Sequence, residues 1–293
     1  MEERTALVSC TVSRLKSVLR YPGAKWTLAP WIVSHMPMHD TYVEPFAGSC
    51  AVLLTKPPAS HELVNDLHGD VVNLFRVIRD QPADLAAKLC LTPYAREEFE
   101  ASFHIDPAAD PVERARLFMV RIWMAHAGKM GSRAGWRLWR EGTDRADQMP
   151  DLWAALPQRV WAVVERLQHV HIEHRPAIEI IALYARTDAL IYCDPPYVRS
   201  TLGTDRMYVH DMTDDNHTAM LDALDRHRGP VLVSGYRSPL YDDRLVGWTR
   251  IDTRGRAYRG AERVESLWLN PVAVASQRQY RMDLPDIMTG EST

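Results

Sequence analysis

Nowhere in the 293 residues is there a run of roughly 18 uninterrupted apolar side chains, the length that a membrane span needs. The opening Met1-Glu2-Glu3-Arg4 is acidic and leads into no apolar core of signal-peptide length. Cysteine is scarce, and Cys10, Cys50, Cys90 and Cys193 show neither paired metal-ligand spacing nor a dense disulfide pattern. These absences lead to the expectation of a soluble, cytoplasmic protein with no membrane partner and no bound metal. Excess positive charge is lacking as well. The net charge is −3, so a nucleic-acid partner would have to be met by a local basic surface. There is no internal repeat and no low-complexity segment. Hydrophobic content of 46% and charged content of 25% are ordinary for a globular chain, and supply a core for one large domain or two modest ones.

The most informative stretch present is Ala189-Leu190-Ile191-Tyr192-Cys193-Asp194-Pro195-Pro196-Tyr197. Leu190 to Cys193 is a short run of strand-forming types, and two prolines without N–H groups stop it. The residue before a proline is driven to an extended backbone, which places Asp194 at the strand's last position. A carboxylate, carbonyls and an aromatic ring are thereby presented where open α/β sheets bind ligands. Asp194 and the Pro195 carbonyl could accept the two hydrogens of a base's amino group, and Tyr197 could lie against the base. Alternatively, a Pro-Pro-Tyr turn merely ends a strand or serves as a docking peptide.

Upstream, Arg20-Tyr21-Pro22-Gly23-Ala24-Lys25-Trp26 reads as a tight turn, with Gly23 permitting close backbone approach and Lys25 able to reach a carboxylate or phosphate. A helix-entry turn with a solvated lysine is the other reading. A short helix is predicted after Leu28. Thr41–Glu44 reads as a strand, followed by the small-residue turn Pro45-Phe46-Ala47-Gly48-Ser49-Cys50 and a helix, an arrangement that lets a cofactor meet backbone amides. Neither a dinucleotide fingerprint nor a P-loop is present there. His61–Asp66 reads as a second strand ending in an acid suited to ribose hydroxyls, with Asn65 or Asp66 able to cap the helix that follows.

Between about 80 and 160 the chain turns to short, proline-punctuated helices. Arg121 to Arg140 contains no Asp or Glu and interleaves Lys129, Arg133, Arg137 and Arg140 with tryptophan and glycine. It is the best local candidate for a phosphate backbone, with Gly128–Gly135 as a loop closing on nucleic acid; a helix with a solvated basic face is the alternative. Strand–helix–strand rhythm then resumes from Val170. Arg199–Asp214 is long and polar enough to form a flap over a pocket, Thr213 could cap the next helix, and Val231–Ser234 and Ser266–Asn270 read as strands. Arg254–Arg263 between them reads as a second basic loop.

In this order the Tyr-Pro-Gly-Ala-Lys turn (21–25), Glu-Pro-Phe-Ala-Gly-Ser (44–49), Asn-Asp (65–66), a basic insert and Asp-Pro-Pro-Tyr (194–197) resemble the adenine-N6 DNA methyltransferases of the Dam type (the D12 class). Ser234-Gly235-Tyr236, Tyr241-Asp242 and Arg263-Val264-Glu265 with Leu267–Pro271 are closest to phage and prophage members. The resemblance implies an α/β class I methyltransferase fold, a mostly parallel seven-stranded sheet with helices on both faces and a mainly helical target-recognition insert. Residues 1–80 and 161–293 would form the catalytic domain and 81–160 the insert. It implies S-adenosylmethionine as cofactor, double-stranded DNA with a GATC-like site as partner, and no obligatory protein partner.

By the same resemblance Tyr21 and Lys25 would contact the methionine end of the cofactor. Glu44, Phe46 and Gly48 would line its pocket, Asp66 would hold the ribose, and Asp194 would bridge cofactor and target. Asp194, Pro195, Pro196 and Tyr197 form the catalytic motif, with Tyr197 stacking on a flipped adenine. Two positions depart from the family pattern. Cys50 stands where a second glycine is common and could narrow the pocket, and Pro176 stands where an acid often meets the cofactor's adenine. The alternatives are transfer to cytosine N4 or to RNA adenine, or a catalytically silent DNA-binding relative.

Overall fold

The computed structural model describes residues 15–106, 108–126, 135–137, 148–201, 210–256 and 262–283. The chain opens with α1 (Ala29–Ser34), β1 (Thr41–Glu44), β2 (His61–Asn65) and α2 (Gly69–Asp80). Five helices follow: α3 (Pro82–Leu91), α4 (Arg96–Ala101), α5 (Pro111–Met124), α6 (Met149–Ala154) and α7 (Leu156–Leu167). The alternating part resumes with β3 (Val170–Glu173), α8 (Ala177–Leu183), β4 (Ala189–Cys193), α9 (Asp214–Asp225) and β5 (Val231–Gly235). It closes with α10 (Pro239–Arg244), the strands β6 (Thr249–Arg256) and β7 (Glu262–Leu269), and α11 (Pro271–Asp283).

The strands form one seven-stranded sheet in the order β3-β2-β1-β4-β5-β7-β6. The first five run parallel, while β7 is antiparallel to β5 and to β6. This is the expected class I methyltransferase architecture. Successive strand residues point to opposite faces. Tyr42, Val64, Leu190, Tyr192 and Leu232 therefore join one core with α2, α5 and α7. Val43, Leu63, Ile191, Cys193 and Val233 join the other with α8, α9 and α10. Every residue of β4 is buried, as expected of a strand covered on both faces. Among the described residues no helix is long and apolar enough to cross a membrane.

The helices of the central region share the first core rather than building one of their own. Leu85, Phe118, Met119 and Val160 lie in the same cluster as Tyr42 and Leu190. Local signals start several helices. Asp110 accepts from Glu113 N ahead of Pro111, and Thr213 forms a capping box with Asn216, as its sequence position predicts. Two expectations need correction. The stretch expected as a basic loop, Arg254–Arg263, begins and ends in strand, with residues to Arg256 in β6 and from Glu262 in β7, while residues 257–261 lie outside the described residues. Its polar alternation marks an edge strand, stabilised by pairing rather than by an apolar face. The segment after Gly48 is a run of turns rather than the predicted helix, with i+4 bonds only from Leu54 N to Cys50 O and from Lys56 N to Val52 O.

Where β2 begins, a buried ion cluster pins strand to helix. Glu62 is 3% exposed and accepts from Lys56 Nζ at 2.7 Å and from Arg166 Nη2 of α7 at 2.7 Å, with Arg166 Nη1 on its other oxygen. Burial alone would raise its carboxyl, but the bonds from Arg166 and Lys56 carry it below the ordinary value. A carboxylate depressed in the fold adds stability above its unfolded pKa and loses it as pH falls. Glu62→Ala strips two cations of their counter-charge, and we expect a loss of about 3–5 kcal/mol at neutral pH. Denaturant titration of the variant beside the wild type checks this, and the difference should shrink in acid.

Candidate active site

The strand order reverses between β1 and β4, and open α/β sheets bind ligands at such a point. Val43 pairs with Ile191, so Glu44 and the turn after it stand beside Asp194. A cleft opens there. Tyr21, Lys25, Glu44, Phe46, Gly48 and Asp66 all line it, together with Asp194 and Pro196. Pro195 and Tyr197 are buried. Residues as far apart as 21 and 196 thus share one cavity.

The glycine turn is set by close contact. Gly48 has φ +46°, and a Cβ there would lie 3.1 Å from the Tyr21 ring. Its N–H donates to Asp66 Oδ2 at 2.8 Å, while Asp66 Oδ1 accepts from His68 N at 2.8 Å. Burial raises the Asp66 carboxyl, and these two bonds with the nearby His210 and His174 oppose the rise. Neither Asn65 nor Asp66 caps α2. The cap is His68, whose Nδ1 accepts from Asp70 N, because the Asp66 turn separates strand from helix. Asn65 instead bonds Pro45 O and the Arg175 backbone.

The two departures from the family pattern resolve differently. Cys50 does not narrow the cleft. Its side chain is fully buried in the sheet's core and is not part of the lining, while its φ of +52° is the left-handed conformation that glycine would supply without strain. Pro176, with Ala177 and Ile178, forms an apolar stretch of wall. At the far side His210, Asp211 and Met212 close in, so the end of the expected flap does meet the pocket; residues 202–209 lie outside the described residues.

Asp194 is held by two donors on a single oxygen. Lys25 Nζ and Ser234 Oγ each approach Oδ1 at 2.8 Å. Among the described residues Oδ2 has no protein donor, which leaves it to face a ligand. Lys25 is 4% exposed, and its ammonium also reaches Gly23 O at 3.1 Å and Tyr197 Oη at 2.9 Å. The lysine expected at the methionine end therefore lines the cleft with its charge turned onto the Asp194 carboxylate. Gly23, at φ +73°, makes the turn that allows this.

Tyr197 is 7% exposed, stacked on Tyr236 with ring centroids 4.2 Å apart and planes 13° off parallel. Its hydroxyl donates to Glu265 Oε1 at 3.0 Å. Ser234, Tyr236 and Glu265 had no role in the reading of the sequence, although all three sit in its phage-like motifs. The signal available for Glu265 was an acid just before the apolar run Leu267–Leu269.

Of the cations expected to contact DNA, Lys129, Arg133 and Arg140 lie outside the described residues. Arg137 is half-buried, its N–H bonded to Met124 O and its carbonyl accepting from Tyr94 Oη. An antiparallel bridge joins Ala125 to Trp136, and the Arg96 guanidinium lies 4.5 Å over the Trp136 ring. Arg121, from the same acid-free stretch, is paired with Asp70 of α2.

Residues 21–127 and 153–254 match the family model of the D12 class N6 adenine-specific DNA methyltransferases. The chain is 25% identical over 225 residues to the retron Ec67 DNA adenine methylase of Escherichia coli, covering 75% of this chain and 77% of that one. It is 22% identical over 237 residues to the DNA adenine methylase of Salmonella typhi, covering 77% of this chain and 82% of that one. Among solved structures, the SAM-dependent methyltransferase from Agrobacterium tumefaciens aligns with 11% identity and a TM-score of 0.33, over 83% of this chain and 59% of that one.

Glu44 offers a test of the cleft's electrostatics. It is 2% exposed, and its Oε2 accepts from Tyr42 Oη at 2.8 Å and from Leu53 N at 3.3 Å. Burial pushes its carboxyl up to about 8, against the Tyr42 bond, and the Asp194 charge adds to the rise. The unfolded chain releases this proton near pH 4.5 while the folded chain keeps it to about 8. Stability is therefore lost as pH rises through that window. Glu44→Gln removes the ionisation, so its melting temperature should fall less than the wild type's between the two ends of the window.

Proposed function

The chain belongs to the D12 class of N6 adenine-specific DNA methyltransferases, and we propose that the cleft at the ends of β1 and β4 is its active site. It transfers a methyl group from S-adenosylmethionine to N6 of adenine in DNA. The cleft suits that donor. Its lining carries the acidic side chains of Asp66, Asp194 and Asp211, a match for a cationic ligand, and the apolar wall at Pro176–Ile178 suits a flat base. Asp66 takes the ribose hydroxyls, Phe46 and Gly48 close on the cofactor, and Tyr21 and Lys25 flank its methionine end. Bound there, S-adenosylmethionine supplies a methyl carbon made electrophilic by the neighbouring sulfonium.

The observation that carries the reading is the state of Asp194. An adenine amino group is a poor nucleophile, because its lone pair is delocalised into the ring. With Oδ1 taken by Lys25 and Ser234, Oδ2 accepts one N6 hydrogen and the Pro195 carbonyl the other. Both bonds draw the nitrogen toward tetrahedral geometry and free its lone pair. Pro196 completes the rigid turn. Two reactants held in line provide much of the acceleration.

Tyr197 stacks on the target adenine, flipped out of double-stranded DNA at a cost of a few kcal/mol. A base between Tyr197 and Tyr236 needs roughly twice the ~3.5 Å contact distance. The rings are 4.2 Å apart, so Tyr236 gives way when the base enters. Lys129, Arg133, Arg137 and Arg140 contact the DNA backbone, and the insert reads a GATC-like site.

Tritiated methyl transfer from S-adenosylmethionine to unmethylated DNA, followed by nucleoside analysis, tests this assignment. We expect labelled N6-methyladenine from the wild type and none above background from Asp194→Ala, with cofactor binding retained within about tenfold. Equal labelling by the variant would remove Asp194 from the mechanism.

A further inference from the structure

We propose that Glu265 is a positioning residue for methyl transfer, acting on the reaction centre through the Tyr197 hydroxyl and the Lys25 ammonium. The inference rests on the reading of Asp194 and Tyr197 as that centre. Four groups form one unbroken chain. Asp194 Oδ1 lies 2.8 Å from Lys25 Nζ, Lys25 donates to Tyr197 Oη at 2.9 Å, and Tyr197 donates to Glu265 Oε1 at 3.0 Å.

The direction of these bonds matters. A phenol has one hydrogen, and a carboxylate only accepts. By taking the Tyr197 hydrogen, Glu265 turns the hydroxyl's lone pair to Lys25 and completes the ammonium's set of acceptors. One buried cation is then shared by two carboxylates. Without the Glu265 oxygen the hydroxyl is free to turn, the ammonium loses a directed partner, and the ring facing the base loses the anchor at its far end. Displacement of about 1 Å is enough to cost rate at a reacting centre.

The scaffold around Glu265 is built for position. It lies in the middle of β7, opposite Thr253 of β6, and two residues further on Leu267 pairs with Ser234 of β5. Ser234 is the second donor on Asp194 Oδ1. Both supports of the catalytic carboxylate therefore lead back to one pair of strands. Glu265 is also an expensive residue to keep. It is 8% exposed, and the Tyr197 and Tyr236 hydroxyls both bond its carboxyl. Burial raises its carboxyl, with Lys25 pulling it back. A buried carboxyl whose charged form is disfavoured weakens the fold, which is the pattern of a group retained for function.

A double-mutant cycle tests the inference. Single-turnover methyl transfer is measured at saturating DNA and cofactor for wild type, Glu265→Ala, Tyr197→Phe and the pair, with cofactor affinity and melting temperature alongside. We expect each single variant to lose about ten- to hundredfold in rate. Cofactor affinity should hold within about threefold. The double variant should be no slower than the slower single one, because both changes cut the same link. Multiplying effects, or a wild-type rate for Glu265→Ala, would overturn the inference. If Glu265→Ala does not fold, Glu265→Leu, which also removes the acceptor oxygen, takes its place in the cycle under the same criteria. Asp194→Asn in the same series separates the two levels: transfer at the wild-type rate sinks the active-site assignment itself, whereas loss of transfer with unaffected Glu265 variants sinks only this inference.

Discussion

One buried ammonium holds the candidate site together. Lys25 is nearly inaccessible to water, and a charge taken out of water has to be met by acceptors placed around it. Those acceptors are Gly23 O in its own turn, Asp194 after β4, and Tyr197, whose hydroxyl in turn rests on Glu265 of β7. The ion pair therefore ties the N-terminal turn to the far side of the sheet. It also decides which oxygen of Asp194 is left for a ligand, since Lys25 and Ser234 share the other.

The sheet makes this convergence possible. Parallel strands that change direction of succession between β1 and β4 bring two strand ends together, one carrying Glu44 and the glycine turn, the other Asp194 and the proline pair. Alternation of side chains across the strands places apolar cores on both faces, so the polar groups at the strand ends stand on a rigid support. The central helices share one of those cores, which locks them to the sheet through packing.

Much of this was legible along the chain, because some residues constrain their own neighbourhood. Two prolines end β4 at Cys193, one residue before the expected Asp194, wherever that strand lies, and Thr213 with Asn216 caps α9 through atoms only a few residues apart. Apolar spacing in Val71–Ile78 marks α2 without reference to the rest of the fold. What escaped detection depended on distant partners. The polar alternation of β6 carries no apolar period, since its order comes from β7. His68 capped α2 in place of the favoured Asn or Asp because Asp66 was already bonded to Gly48 N, which lies 18 residues earlier. The effect of Cys50 could not be judged from its size, because its backbone conformation turns the side chain into the core.

The same division runs through the site. Residue types and their order were enough to specify a carboxylate at a strand end, a glycine turn and an acid after the second strand, because those features are properties of short segments; the expectation of methyl transfer came from the family that those motifs, in that order, resemble. Folding alone settled how the groups share charge. That Lys25 serves Asp194, that Ser234 holds the same oxygen, and that Tyr197 rests on Glu265 and Tyr236 are contacts between residues 39 to 169 positions apart. No local pattern encodes such pairings, since a hydrogen bond is decided within about 3 Å in space and sequence spacing carries no such distance.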